Sequence, residues 1–237
     1  MNKLIILTVI TTCLVGCHHD DEVDGWSKNK LDDYTYYSYE NKATTDNSPI
    51  YVMFTGYGGG YCFDIGNKVR KFLDKNNLGG TIILPRIDYK DSTYTDIEVE
   101  MIRRVLDTHD TDNIRKKILI GVSAGACLSL NLSAKWDDVT RIVPIAAGTY
   151  KDGGGTPSDN LPEPGFSVSI WFLNGYDKNT LEKYGIYWDG TVFVDPTIRL
   201  YNAIKSRGNV IMSIIPGIKH SKADNLLTDD VLMWTRK

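Results

Sequence analysis

Short, nearly unbroken apolar runs recur along the chain, at Ile50 to Thr55, Thr81 to Leu84, Lys117 to Gly121, Ile142 to Ala146, Val168 to Leu173 and Val210 to Ile215. Continuous rather than alternating hydrophobicity marks strands that are covered on both faces, as in a parallel sheet. Tyr34 to Tyr39, rich in aromatic residues, predicts an additional strand at the sheet's edge. Between these runs the apolar positions recur at helical spacing, over Ile65 to Leu73, Ile97 to Leu106, Ala124 to Ala134 and Thr197 to Lys205. Strands that alternate with helices able to cross back over the sheet predict an α/β fold: a mostly parallel central sheet flanked by helices. Asp152 to Pro164, rich in Gly and Pro, reads as a surface loop rather than a linker, so the 237 residues are expected to form one compact domain.

The N-terminus follows another pattern. Lys3 gives a positive start, Leu4 to Val15 is almost wholly apolar, and the run ends in Leu14-Val15-Gly16-Cys17. That is the layout of an export signal, too short for a transmembrane helix of roughly 20 residues. The small residues before Cys17 resemble the bacterial lipobox. The resemblance implies that residues 1–16 are removed, that Cys17 is lipidated, and that the protein is anchored in the cell envelope, facing the periplasm or the cell surface. The charged stretch from His18 to Lys30 reads as a tether, which gives residues 17–30 as tether and 31–237 as the folded domain.

Charge narrows the partners. A formal net charge of -3, from 27 basic and 30 acidic residues without a block of either sign, offers no electrostatic footprint for nucleic acid. With 4 cysteines, no Cys-x-x-Cys pair and 4 histidines, no metal site of recognisable spacing is expected.

The segment with chemical content is Ile118-Leu119-Ile120-Gly121-Val122-Ser123-Ala124-Gly125-Ala126, an apolar strand that runs through Gly-x-Ser-x-Gly into a helix. Glycines on both sides permit a tight strand-to-helix turn that lifts the Ser123 hydroxyl above the sheet, and the helix N-terminus behind it favours developing negative charge. Met53-Phe54-Thr55-Gly56-Tyr57-Gly58-Gly59-Gly60 is a second strand end, opening into a loop whose backbone amides can face a substrate. The amides of Tyr57 and Ala124 are the expected oxyanion donors.

His18 and His19 lie in the tether and His109 ends a helix returning to the opposite edge of the sheet, which leaves His220, in a short loop after the last strand, as the base. The acid should come from the same edge, between serine and histidine in chain order. Asp177, in Asn174-Gly175-Tyr176-Asp177, is the first candidate, and Asp189 and Asp195 are its rivals. Cys62, after the glycine loop, and Cys127, a helical turn beyond Ser123, are candidates for a disulfide in an oxidising compartment.

These segments, with Tyr-x-Tyr-Tyr near the start and Ile-Pro-Gly-Ile-Lys-His near the end, resemble the α/β-hydrolase superfamily over nearly all of the mature chain. The resemblance is strongest to small secreted esterases related to feruloyl and acetylxylan esterases and polyester depolymerases. It implies a Ser123, Asp177, His220 triad and hydrolysis of carboxylic esters through an acyl-enzyme, with no cofactor. Two departures stand out. Thr55 replaces the histidine of a frequent His-Gly pair, and Asp177 follows Gly175 one residue earlier than is common. Tyr184 to Phe193 looks inserted, and its aromatic residues fit a small-molecule or carbohydrate ester. The alternatives are peptidase or thioesterase chemistry, and a non-catalytic lipoprotein that keeps the fold as a binding scaffold.

Overall fold

The structure, a computed structural model, describes residues 25–88, 95–147, 167–190 and 194–237; the signal segment and Cys17 lie outside them. Eight strands form one sheet: β1 (Ser27–Leu31), β2 (Tyr34–Glu40), β3 (Ile50–Phe54), β4 (Thr81–Pro85), β5 (Lys117–Val122), β6 (Val139–Ile145), β7 (Ser169–Tyr176) and β8 (Val210–Pro216), in the order β1-β2-β4-β3-β5-β6-β7-β8. The pairs β1/β2 and β2/β4 are antiparallel and all pairs from β4 to β8 are parallel. The helices are α1 (Phe63–Asn76), α2 (Asp96–His109), α3 (Ala124–Lys135), α4 (Lys178–Tyr184), α5 (Asp195–Ile204) and α6 (Asp229–Trp234).

Side chains of successive strand residues point to opposite faces, and the core divides accordingly. Tyr51, Met53, Ile118 and Ile120 lie in one layer with Val69 and Phe72 of α1 and Val231 and Leu232 of α6. Ile50, Val52, Phe54 and Leu119 lie in the other with Ile102 and Leu106 of α2, Leu128 and Leu132 of α3, and Leu200 and Ile204 of α5. Strands β3 and β4 are buried throughout and β5 nearly so, which is why their sequences read as continuous apolar runs.

The folded part begins earlier than the expected boundary at residue 31. β1 occupies positions assigned to the tether, and Trp26 is buried, with its indole N–H donating to Asn67 Oδ1 at 3.0 Å and its ring edge-on to Phe63. Ser27 to Lys30 reads as tether because an outermost strand needs little apolar surface. β2 is therefore the second strand and not the edge.

At the N-terminal ends of the parallel strands lies a buried ionic cluster. The Lys117 ammonium, 1% exposed, meets Asp110 and Asp138, and Arg103 forms a two-pronged contact with Asp138 at 3.0 Å. Asp110 also accepts the backbone N–H groups of Ile114 and Arg115. Despite its burial, the Lys117 hydrogen bond and these amides hold the Asp110 carboxyl below its usual range. His109 sits at this end too, against Tyr36, and burial lowers its pKa.

Candidate active site

Ser123 joins β5 to α3 with φ 56° and ψ -115°, a conformation that costs a non-glycine residue about 1–3 kcal/mol. The surroundings impose it. A Cβ added at Gly121 would stand 2.0 Å from the carbonyl oxygen of Gly125, and one at Gly125 would stand 2.4 Å from that of Thr55 and 2.5 Å from that of Phe54. Both glycines of the motif are thus required by backbone packed on backbone, and the turn between them is held closed. The Ser123 N–H donates to Ile145 O at 2.9 Å, tying the turn to the end of β6.

The end of β3 forms the adjoining wall. A Cβ at Gly56 would come within 3.3 Å of Ser123 Cβ, so the chain passes close beside the serine. Beyond it, Gly58, Gly59 and Gly60 all have positive φ, and Gly60 and Ile87 exchange backbone hydrogen bonds of 2.7 and 3.2 Å. That pairing anchors the loop carrying Tyr57, whose side chain is 62% exposed. The Ala124 amide lies in the first turn of α3, where backbone N–H groups have no intrahelical acceptor. The two expected oxyanion donors thus belong to separate segments, the loop after β3, whose Gly56 passes close beside Ser123, and the start of α3.

His220 begins a 3₁₀ segment, His220–Leu226, after β8. It stays at the C-terminal edge of the parallel strands because Gly175 of β7 lies directly under Ile218, whose carbonyl oxygen would be 2.1 Å from a Cβ there. Its Nδ1 is 2.7 Å from Asp189 Oδ2, and its backbone N–H donates to Asp189 O at 2.8 Å. Asp189 is 1% exposed. The same aspartate grips the histidine by side chain and main chain, which fixes the ring and leaves Nε2 for chemistry.

This arrangement corrects the expectation for Asp177. Its Oδ1 accepts the N–H of Thr180 as the N-cap of α4, and its Oδ2 lies 3.4 Å from Lys219 Nζ. The Thr180 amide, with help from Lys219, keeps its carboxyl below the usual range. After Asp177 the chain makes an excursion through α4, closed where Asp177 N–H donates to Trp188 O at 2.7 Å, and delivers Asp189 to the histidine. Asp195 begins α5. A legible signal existed: Asp177, then a helical stretch, then Gly185 with φ 68°, is a capped helix, and a capping aspartate is already occupied.

The expected disulfide is absent: Cys62 and Cys127 are both buried thiols. Cys62 precedes α1 in one layer, whereas α3, which carries Cys127, packs its leucines in the other. Burial pushes the Cys127 thiol up to about 12, so it stays protonated beside the serine turn. Among the described residues no group of His, Cys, Asp and Glu could hold a metal ion, and no helix is long and apolar enough to cross a membrane.

Of the inserted aromatic segment, Phe193 lies outside the described residues; Tyr187 stands edge-on to Tyr176 with ring centres 5.1 Å apart, and Tyr184 is 61% exposed.

No protein-family model and no curated protein sequence matches the chain. Solved structures do. An alpha-beta serine hydrolase homologue from Coxiella burnetii superposes with a TM-score of 0.62 at 13% identity, covering 90% of this chain and 98% of its own. The chain has the α/β-hydrolase fold. Est1E from Butyrivibrio proteoclasticus gives 0.59 at 13% identity over 90% of this chain and 98% of that one. FphF, a fluorophosphonate-binding serine hydrolase of Staphylococcus aureus, gives 0.62 at 13% identity over 90% and 97%. In this fold the strand-to-helix turn after β5 and the loops beyond β7 and β8 share one edge, where Ser123, Asp189 and His220 are found.

Proposed function

We propose that the protein is a serine esterase. The observation that carries this reading is the joint placement of Ser123, on a strained turn at the catalytic edge, and His220, gripped by the buried carboxylate of Asp189. In the proposed mechanism His220 Nε2 takes the Ser123 proton while Oγ bonds to the ester carbonyl carbon, and the carbonyl electron pair moves onto oxygen. The Tyr57 and Ala124 amides stabilise that oxyanion, each being worth about 3 kcal/mol in such a role. Collapse breaks the bond to the leaving alcohol, which takes the proton from the imidazolium. Water then adds through the same steps in reverse roles, releasing the acid and restoring the serine. Asp189 stabilises the imidazolium formed in both halves.

The substrate is proposed to be an ester with a sugar or aromatic part. Tyr57 and the Tyr176 and Tyr187 pair supply aromatic surface on the segments that carry the oxyanion loop and the acid. One structure of Est1E from Butyrivibrio proteoclasticus holds ferulic acid, an aromatic acid. The lipobox resemblance at Cys17 supports attachment to the cell envelope by a lipid anchor.

Labelling with a fluorophosphonate probe tests the reading. Wild-type protein should take up one label at Ser123 and hydrolyse short-chain p-nitrophenyl esters, and Ser123→Ala should lose both. A label on another residue, or full activity in the variant, would refute it.

A further inference from the structure

The two outer strands of the sheet are built differently. β1 places Lys28 and Lys30 along its length, and charged side chains on an edge disfavour addition of another strand. β8, Val-Ile-Met-Ser-Ile-Ile-Pro, has no charged residue; Ile211 is 41% exposed, and Met212 through Ile215 are all partly exposed. Among the described residues it pairs only with β7. An apolar edge of this kind is a template for strand pairing.

Two hydrogen bonds to β7 settle which backbone groups face outward. Ile170 N–H donates to Asn209 O at 2.9 Å, and Gly217 N–H donates to Tyr176 O at 2.8 Å. Alternate residues of a strand turn their N–H and C=O to the same neighbour. Odd-numbered residues therefore face β7, and Val210, Met212, Ile214 and Pro216 face the open edge. The proline has no N–H to leave exposed there.

The strand is also self-complementary about Ser213. Set antiparallel to a copy of itself with Ser213 on a two-fold axis, it places Met212 opposite Ile214, Ile211 opposite Ile215 and Val210 opposite Pro216. Every cross-strand pair off the axis is apolar, and no charge is set against another. The outward-facing residues oppose one another in this register, as bonded positions of an antiparallel ladder must.

We propose that β8 joins β8 of a second copy of this chain across that axis, making one continuous sheet through a two-fold dimer. About six backbone hydrogen bonds cross the interface, from the Val210, Met212 and Ile214 amides of each copy. The contact uses the same patch on both chains and so closes on itself. It leaves the two lysine-bearing β1 edges outermost, where further growth is discouraged. This conclusion is independent of the chemistry assigned to Ser123.

Sedimentation velocity of the full chain in mild detergent, from about 1 to 100 μM, should show a dimer, because association follows mass action. Ile211→Lys should shift it to monomer with an unchanged circular dichroism spectrum. The axis gives a second test, one that does not depend on that variant folding. Ser213 meets its own copy at a non-bonded position, with Cα atoms about 4.5 Å apart, inside the range for a disulfide. Ser213→Cys should form a disulfide-linked dimer on mild oxidation, whereas Ile211→Cys, opposite Ile215, should not. A single-chain mass at every concentration, a dimer that survives Ile211→Lys, or equal crosslinking by both cysteine variants would overturn the proposal.

Discussion

Replacing each of the two aspartates near His220 by asparagine separates the acid from the cap. In Asp189→Asn the main-chain bond from His220 N–H to residue 189 remains, so the loop should keep its place. The side chain changes from a pure acceptor to an amide that can present a donor to Nδ1, which favours the wrong ring tautomer and removes the charge that stabilises the imidazolium. Amidating the aspartate of a serine triad lowers turnover by roughly 10⁴, which at about 1.4 kcal/mol per tenfold is a barrier rise of about 5.5 kcal/mol. Asp177→Asn is chemically the same change with a different expected result. Asparagine caps a helix about as well as aspartate, and the Lys219 partner is 62% exposed, so its ion pair is screened by water. Turnover should stay within about threefold of wild type. The assay is steady-state hydrolysis of p-nitrophenyl butyrate by both variants, with kcat and KM resolved. A collapse of kcat in Asp177→Asn, with Asp189→Asn near wild type, would refute the reasoning and return the acid to Asp177.

Four further outcomes follow from particular contacts. Ser123→Gly should be more stable than Ser123→Ala, because glycine occupies positive φ without the strain that alanine retains; relief of about 1 kcal/mol should show as a higher Tm for the glycine variant in thermal denaturation. Gly121→Ala forces a Cβ to within 2.0 Å of a backbone oxygen and should cost about 3 kcal/mol or more, read from urea unfolding, with activity lost alongside. Lys117→Met strips an ammonium from the buried carboxylate of Asp110 and should cost about 3–5 kcal/mol. The depressed folded pKa of Asp110 means that its contribution is complete above the unfolded value of about 3.9 and is lost as pH falls through the folded one. The low folded pKa of His109 adds a milder decline that sets in as pH falls below about 6.5, since the unfolded chain then takes up a proton that the folded chain refuses. Tm measured from pH 8 to 3 in wild type and in His109→Asn checks the second part, because the variant should lose the upper limb of the decline.

What could be read from the sequence divides along a physical line. The apolar runs marked the parallel strands β3 to β8, of which β3, β4 and β5 are buried nearly throughout and have no freedom to be polar, while α1, α2 and α5 declared themselves by one apolar stripe each and α3 is buried on almost every side. β1 and α4 left no such trace: β1 lies outermost with lysines toward solvent, and none of the side chains of α4 is buried. The serine turn was legible because its requirement is local, with two glycines forced by contacts within a few residues or with the neighbouring strand. The acid is another kind of problem. Nothing in a sequence states how far a chain will travel before it returns to a given strand end, and nearness along the chain favoured Asp177. What decides is where the excursion closes, and that depends on the bond between Asp177 N–H and Trp188 O and on the helix cap that occupies the Asp177 carboxylate. A free strand end would have left Asp177 available to the histidine. The insertion of a capped helix at that point withdraws it, and the carboxylate that does meet His220 is the one buried to 1% exposure, where its charge acts on the imidazole with the least screening by water.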